Sequence, residues 1–165
     1  MVNIRNAQRR DLPAINAIYN EVVEHSTACF DLEPISADQR ETWFDAHGGD
    51  RPVLVAEQDG RVVGWAGLHT FIHKQGSRHV AELSVYVDRA HRSRGIGRSL
   101  MEAVLEAGRS AGVRRIVSYI AGGNQASIHL HESMGFTHVG VLEGMGYKFG
   151  QYVDVTVMQR SLGDE

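Results

Sequence analysis

The 165-residue chain has one cysteine, three prolines and two tryptophans, and aromatic residues make up 7% of it. A single cysteine, Cys29, excludes an internal disulfide and fits a reducing compartment. It reads as a small buried hydrophobe before it reads as a catalytic thiol, because cysteine is among the most frequently buried residues. No run of about 18 apolar residues occurs, so no membrane-spanning helix is expected. The start, MVNIRNAQRRDLP, lacks the apolar core of a signal peptide, and a cytoplasmic location is the expectation. Blocks of one charge are also missing: 17 Lys and Arg and 20 Asp and Glu are interspersed, for a formal charge of −3. The arginines gather at one turn instead of forming a broad basic face, so a small molecule is expected as partner, with no nucleic acid and no membrane. Without repeats, linkers or low-complexity runs, residues 1–165 read as one domain.

Periodicity gives the order β-α-α-β-β-β-α-β-α-β-β, a mixed α/β sheet with helices on both faces. A strand at 2–5 precedes a helix with Asp11 as its cap and Pro13 in its first turn, and with Leu12, Ile15, Ile18, Tyr19 and Val22 as its apolar stripe. Ser36 caps a second helix that reaches His47. Strands at 53–57 and 61–70 flank Asp59-Gly60, a hairpin signal, and a looser turn at 74–77 leads to a strand at 80–87. The long helix at 96–111 aligns Ile96, Leu100, Val104 and Ala107, with Gly112 behind it. A strand at 115–120, a helix at 124–134 closed by Gly135, and strands at 136–142 and 152–159 complete the chain.

The clearest chemistry lies in 81–97, AELSVYVDRAHRSRGIG: a strand, a turn, then Arg92-x-x-Gly95-x-Gly97 at the mouth of a helix, flanked by Arg94 and Arg98. Unpaired N–H groups and the positive end of a helix bind phosphate oxygens, and glycine lets them come close. The Lys-Ser/Thr of a nucleotide P-loop and the third glycine of a dinucleotide fingerprint are both absent. Arg92-x-x-Gly95-x-Gly97 resembles instead the acyl-coenzyme A (CoA) motif of the GNAT-type N-acetyltransferases. The segment from Asn124-Gln125-Ala126-Ser127 through His131 to Gly135-Phe136 is similar to that family's second cofactor-side segment. Phe30-x-x-Glu33-Pro34, Ala81-Glu82-x-Ser84-Val85-Tyr86-Val87 and Gly146-Tyr147-Lys148-x-Gly150 narrow the resemblance to the phosphinothricin and methionine sulfone (sulfoximine) acetyltransferases. One departure is Ser77, where that branch often has an aromatic residue before the arginine at Arg78.

The resemblance implies a GNAT-like, mostly antiparallel sheet, acetyl-CoA as co-substrate, no metal, and direct transfer to an amine without a covalent enzyme intermediate. It assigns the phosphates to Arg92, Arg94, Gly95, Ile96, Gly97, Arg98 and Ser99, with Asn124 and Ser127 on the second segment. The pantetheine arm would pair with main-chain groups of Val85 and Val87, where the strand bends at a bulge and splays from its neighbour. The amide near Val85 is the candidate oxyanion donor.

Glu82 and Ser84 alternate with Leu83 and Val85 and so face the other way. Glu82 is the candidate general base, acting through water, because a carboxylate of pKa about 4.3 is a poor acceptor from an ammonium. Ser127, His131 and Met134 share one helix face, with His129 nearly opposite. Many GNAT enzymes have a thiolate-protonating tyrosine here and the phosphinothricin branch a histidine, so His131 is either that acid or a histidine packed on the cofactor. Arg78 shares the strand face of Glu82 if the extended pattern continues, and it offers a fork for a substrate carboxylate. Phe30 and Tyr147 are candidate walls of the side-chain pocket, or core. His69 and His73 are spaced i, i+4 but complete no tetrahedral metal set. Lys148-Phe149-Gly150 and Asp154 match the family's C-terminal pattern without an assigned role, and the last strand is expected to support a homodimer as in related enzymes. The expected function is acetylation of the α-amine of a small amino acid such as methionine sulfone, methionine sulfoximine or phosphinothricin, with antibiotic or herbicide resistance as the associated trait. Protein N-termini, polyamines and a non-catalytic acyl-CoA-binding module are the alternatives.

Overall fold

The described residues form seven strands, β1 (Val2–Asn6), β2 (Val53–Gln58), β3 (Arg61–Thr70), β4 (Val80–Val87), β5 (Arg115–Ala121), β6 (Thr137–Lys148) and β7 (Gln151–Ser161), with β2 and β3 carrying continuous buried runs. Helical periodicity gives α1 (Leu12–His25), α2 (Ala37–Asp45), α3 (Ile96–Ser110) and α4 (Gln125–Ser133). These belong to a computed structural model that describes residues 1–163. The sheet order is β1-β2-β3-β4-β5-β7-β6, and only β4 and β5 run parallel. Two hairpins turn on paired positive φ angles, Asp59 and Gly60 at 51° and 75° and Phe149 and Gly150 at 52° and 76°, the conformation that matches strand twist.

On one face α3 buries Leu100, Met101 and Val104 completely, against Ala66, Leu68, Leu83 and Ile116. On the other, Leu12, Ile15 and Ile18 of α1 cover Val53, Val55 and Trp65. Each such side chain contributes roughly 1.5–3 kcal/mol by leaving water. Among the described residues no helix is long and apolar enough to cross a membrane.

Ser36 caps α2 as expected: its hydroxyl accepts from Gln39 N–H at 3.2 Å, and Gln39 Oε1 accepts from Ser36 N–H at 2.8 Å. α2 ends at Asp45, short of His47. Asp11 does not cap α1. Its carboxylate is taken by the Arg5 guanidinium at 2.7 Å and by Gln8 N–H at 2.8 Å, in a short 3-10 turn before the helix. β6 runs on to Lys148, beyond the expected end at Leu142, because Gly140, Gly144 and Gly146 interrupt the apolar alternation without ending the pairing with β7.

β4 keeps one register with β3 from Thr70↔Ala81 to Gly64↔Val87, so the bulge expected in β4 is absent. The bulge lies in β3, where Val63 is the extra residue between Gly64↔Ala56 and Val62↔Glu57. The splay is present. β5 pairs with β4 only at Val80, Ala81 and Glu82, while it pairs with β7 along its whole length.

Candidate active site

The gap between β4 and β5 sets the geometry. Asp88 N–H donates to the Val63 carbonyl at 2.9 Å, which makes Val87↔Gly64 a non-hydrogen-bonded pair and fixes the phase of the ladder. Main-chain groups of Leu83, Val85 and Val87 therefore point away from β3, into the gap. The Val87 carbonyl already accepts from Arg92 Nε at 3.1 Å.

At one end of the gap stands the first turn of α3. Gly95 precedes it at φ 79°, a left-handed conformation that glycine takes without strain, and Ser93 at φ 60° tightens the same turn. The helical ladder begins with Ser99 N–H on the Gly95 carbonyl, so the N–H groups of Ile96, Gly97 and Arg98 have no carbonyl to bond. A Cβ on Gly97 would stand 3.5 Å from Leu130 and 3.7 Å from Val87, ordinary contacts, so the protein's own packing does not require glycine there. Exposed Arg94 adds positive charge to this turn. The donors, the positive helix end and the open approach fit the pyrophosphate of a CoA ester.

The opposite face of β4 carries Glu82, Ser84 and Tyr86, all half-buried. Glu82 makes no hydrogen bond or ion pair among the described residues, and burial alone raises its pKa above the ordinary carboxylate value. Its cross-strand neighbour is His69. His69 Nδ1 lies 2.7 Å from His47 Nε2, and His47 Nδ1 donates to the Trp43 carbonyl at 2.6 Å. The tautomers follow: His47 Nε2 accepts, His69 Nδ1 donates, and His69 Nε2 is left as an acceptor above Gly67. Burial, with His47 and two arginines adding, drives the His69 pKa to about 3, so the ring stays neutral. Aromatic rings wall this cleft. Tyr86 lies 5.3 Å from Tyr19 and 5.0 Å from Trp65, and Arg40 of α2 is stacked among Tyr19, Trp43 and Trp65 with its Cζ 4.9, 4.6 and 5.8 Å from the ring centres.

Residues 15–136 match the acetyltransferase (GNAT) family. The chain belongs to the GNAT family. Among relatives, it is 40% identical to an L-methionine sulfoximine/L-methionine sulfone acetyltransferase of Pseudomonas paraeruginosa, over 97% of this chain and 94% of that one. A GNAT superfamily phosphinothricin acetyltransferase of Sinorhizobium meliloti, solved in complex with acetyl-CoA, superposes with a TM-score of 0.95 at 31% identity, covering 98% of this chain and 89% of that one. The ribosomal-protein-alanine N-acetyltransferase structure of Brucella melitensis gives 0.93 at 42% identity, over 96% and 99%. The protein is thus an acetyl-CoA-dependent GNAT N-acetyltransferase.

Within this GNAT site, Glu82, Val85, Val87, Gly95, Ile96, Gly97, Arg98 and Ser99 come together around the gap, although the Arg98 side chain is engaged with Glu102 at 2.9 Å. Arg92 is turned to Glu21 at 3.3 Å as well as to Val87. Asn124 caps α4, its Oδ1 accepting from Ser127 N–H at 3.2 Å. Two expectations change here. Arg78 is off the strand: β4 starts at Val80, Arg78 is helical at φ −59° and ψ −28° and exposed, and Arg51 holds the Arg78 and Val80 carbonyls at 3.0 and 3.1 Å. Tyr147 is exposed and lies 5.1 Å from Tyr152, because the alternation of β6 turns Gly146 and Lys148 towards the α1–α2 loop and Tyr147 away from it. Phe30 does face the hairpin, seated on Gly146, where a Cβ would come within 2.4 Å of its ring.

His131 is 5% exposed, with both ring nitrogens engaged: Nδ1–H donates to the Ser127 carbonyl at 2.7 Å and Nε2 accepts from Ser118 Oγ at 3.0 Å. Burial lowers its pKa, so it is a neutral, satisfied histidine packed on Phe136; the acid alternative has no support in this geometry. Lys148 gains a role. Buried at 3% exposure, it donates to the Cys29 carbonyl at 3.1 Å and ties the α1–α2 loop to the hairpin. Sequence reasoning missed Arg40, Tyr19, Trp65, His47 and His69 as parts of the cleft. The legible signal was Arg40 and Trp43 at i and i+3 on one helical face, with His47 just beyond the helix end.

Proposed function

We propose that this GNAT enzyme acetylates the α-amine of a small amino-acid-like substrate, of the methionine sulfone, methionine sulfoximine and phosphinothricin type, in a ternary complex with acetyl-CoA. The observation that carries the reading is the unpaired, half-buried Glu82 on an aromatic-walled face beside the β4–β5 gap. The relatives named for these amines, matched along almost the whole chain, support the substrate class.

When bound, acetyl-CoA supplies an acyl group already activated for transfer. The first-turn N–H groups of α3 hold its phosphates, and the outward main-chain groups of Val85 and Val87 hold its arm. An outward N–H of β4, that of Val85, is poised to donate to the acetyl oxygen as it gains charge. The amine nitrogen would bond the acetyl carbon as the C–S bond breaks and coenzyme A leaves as its thiolate, while Glu82 takes the amine proton through a water molecule, its raised pKa bringing it closer to the proton it accepts. Tyr19, Trp65 and Tyr86 exclude bulk water from that side.

A rival acceptor is a protein N-terminus, favoured by the likeness to the ribosomal-protein-alanine enzyme. We also assign a homodimer in the cytoplasm. Its contact would be the β6–β7 hairpin, which exposes Val139, Val141, Met145 and Tyr147 on edge strand β6 and Tyr152 on β7 beside it. Thiol release from acetyl-CoA, measured with methionine sulfone, methionine sulfoximine, phosphinothricin, ordinary amino acids, polyamines and N-terminal peptides, tests the substrate class. Selective turnover of the first three is expected. Turnover confined to peptides or polyamines would overturn the reading and leave the GNAT assignment intact.

A further inference from the structure

Arg40 is a buried cation with no carboxylate in hydrogen-bond or ion-pair contact among the described residues. It is 4% exposed, and its Nε donates to Asn16 Oδ1 at 3.0 Å. Its two terminal nitrogens find no hydrogen-bond partner among the described residues. The other buried cations reach main-chain acceptors, although Arg51 Nε is itself buried without a partner. Arg51 reaches three carbonyls and Asp50, and Lys148 reaches the Cys29 carbonyl. The rings around Arg40 cover its flat faces and leave its donor edge free. The indole N–H of Trp65, in the same cluster, is also buried without an acceptor. Nearby Asp31 accepts from the Tyr19 hydroxyl and is exposed. The cluster is thus rich in donors and short of an acceptor, and a buried guanidinium without an anion is costly.

Its position relates it to the amine site. Burial foremost raises the Tyr86 phenol, with Cys29, Asp31 and Glu82 adding and Arg40 pulling back. Tyr86, Ser84 and Glu82 share one strand face, and Tyr86 packs on Trp65 and Tyr19, the rings that also hold Arg40. Trp43 joins the two regions, its ring 4.6 Å from Arg40 Cζ and 5.9 Å from His69, the cross-strand neighbour of Glu82.

We propose that Arg40, and not Arg78, receives the carboxylate of the amino-acid substrate through its two free terminal nitrogens. The proposal rests on the amino-acid reading above. It makes Arg40 the residue that selects a free amino acid over its carboxyl-blocked counterpart.

The test compares kcat/KM for methionine sulfone with that for its carboxamide, which keeps the side chain and the α-amine but has no negative charge, in the wild type, Arg40→Lys and Arg40→Met. A ratio is insensitive to the fraction of each variant that folds. The wild type should prefer the acid, and that preference should fall roughly 10- to 150-fold in Arg40→Met, the worth of a charge-assisted hydrogen-bonded pair, and less in Arg40→Lys. An unchanged ratio would overturn the Arg40 assignment and leave the amino-acid reading standing. No turnover of any amino acid by the wild type, with peptides or polyamines accepted, would overturn both. Should Arg40→Met not fold, the wild type alone decides. Trp43 and Trp65 are the only tryptophans, and both flank Arg40. Titrated into the acetyl-CoA-loaded enzyme, the acid should shift their emission at concentrations where the amide does not, and equal shifts would overturn the proposal.

Discussion

Replacing Glu82 with glutamine removes a proton acceptor and little else. Glu82 has no hydrogen bond or ion pair among the described residues, so an amide of the same shape breaks no contact, and it neutralises a charge that burial already disfavours. Stability should stay within about 0.5 kcal/mol of the wild type. The chemical step should slow by about 10²- to 10⁴-fold, equivalent to about 2.7–5.4 kcal/mol of transition-state stabilisation. The pH dependence supplies a second signature. Glu82 works as the carboxylate, so the wild-type rate should fall as pH drops through its folded pKa, which burial places above the ordinary value. Glu82→Gln should lose that limb and keep only the one set by the substrate amine. Single-turnover thiol release at saturating acetyl-CoA and methionine sulfone, from pH 5 to 9, reads both effects. A Glu82→Gln rate within a few-fold of the wild type, with the acidic limb intact, would refute the base assignment.

Gly97→Asp should fold normally, since its Cβ meets only ordinary contacts and an acid suits the start of a helix, yet calorimetry should show acetyl-CoA binding at least about tenfold weaker because the carboxylate opposes the phosphates. His131→Ala should cost about 2–4 kcal/mol in denaturant unfolding, leaving Ser118 without its partner in the core, while kcat per folded molecule stays near the wild-type value. His69, with a folded pKa of about 3 against an ordinary 6.5, binds its proton more readily when unfolded. Its share of stability is therefore present above pH 6.5 and is lost as pH falls, by up to about 1.4 kcal/mol per unit. His69→Phe should flatten that part of a urea-midpoint profile between pH 7 and 4, and an unchanged slope would contradict the assignment.

The order of elements was legible because apolar runs and helical stripes are separated by turn residues, and β3 and β4 begin and end between such turns. The turn before α3 was legible because Gly95, at φ 79°, stands where glycine turns without strain. The substrate side was harder. Its walls come from α1, α2, β3 and β4, so Tyr19, Arg40, Trp65 and Tyr86 meet only in the fold. Arg78 was misread because a clamp from distant Arg51 bends the chain before β4 starts, a contact 27 residues away in sequence. The sequence left His131 open between an acid and a packed histidine because its partner Ser118 lies on another element. The end of β6 was hidden by three glycines that break the apolar pattern but keep the ladder.

Initial rates of thiol release, with acetyl-CoA and methionine sulfone varied together and the product identified by mass, test the central claim most directly. The account expects saturation in both substrates, intersecting reciprocal plots and one acetyl group on the α-amine. Parallel plots, or acetyl-CoA binding without any release dependent on the amino acid, would contradict it.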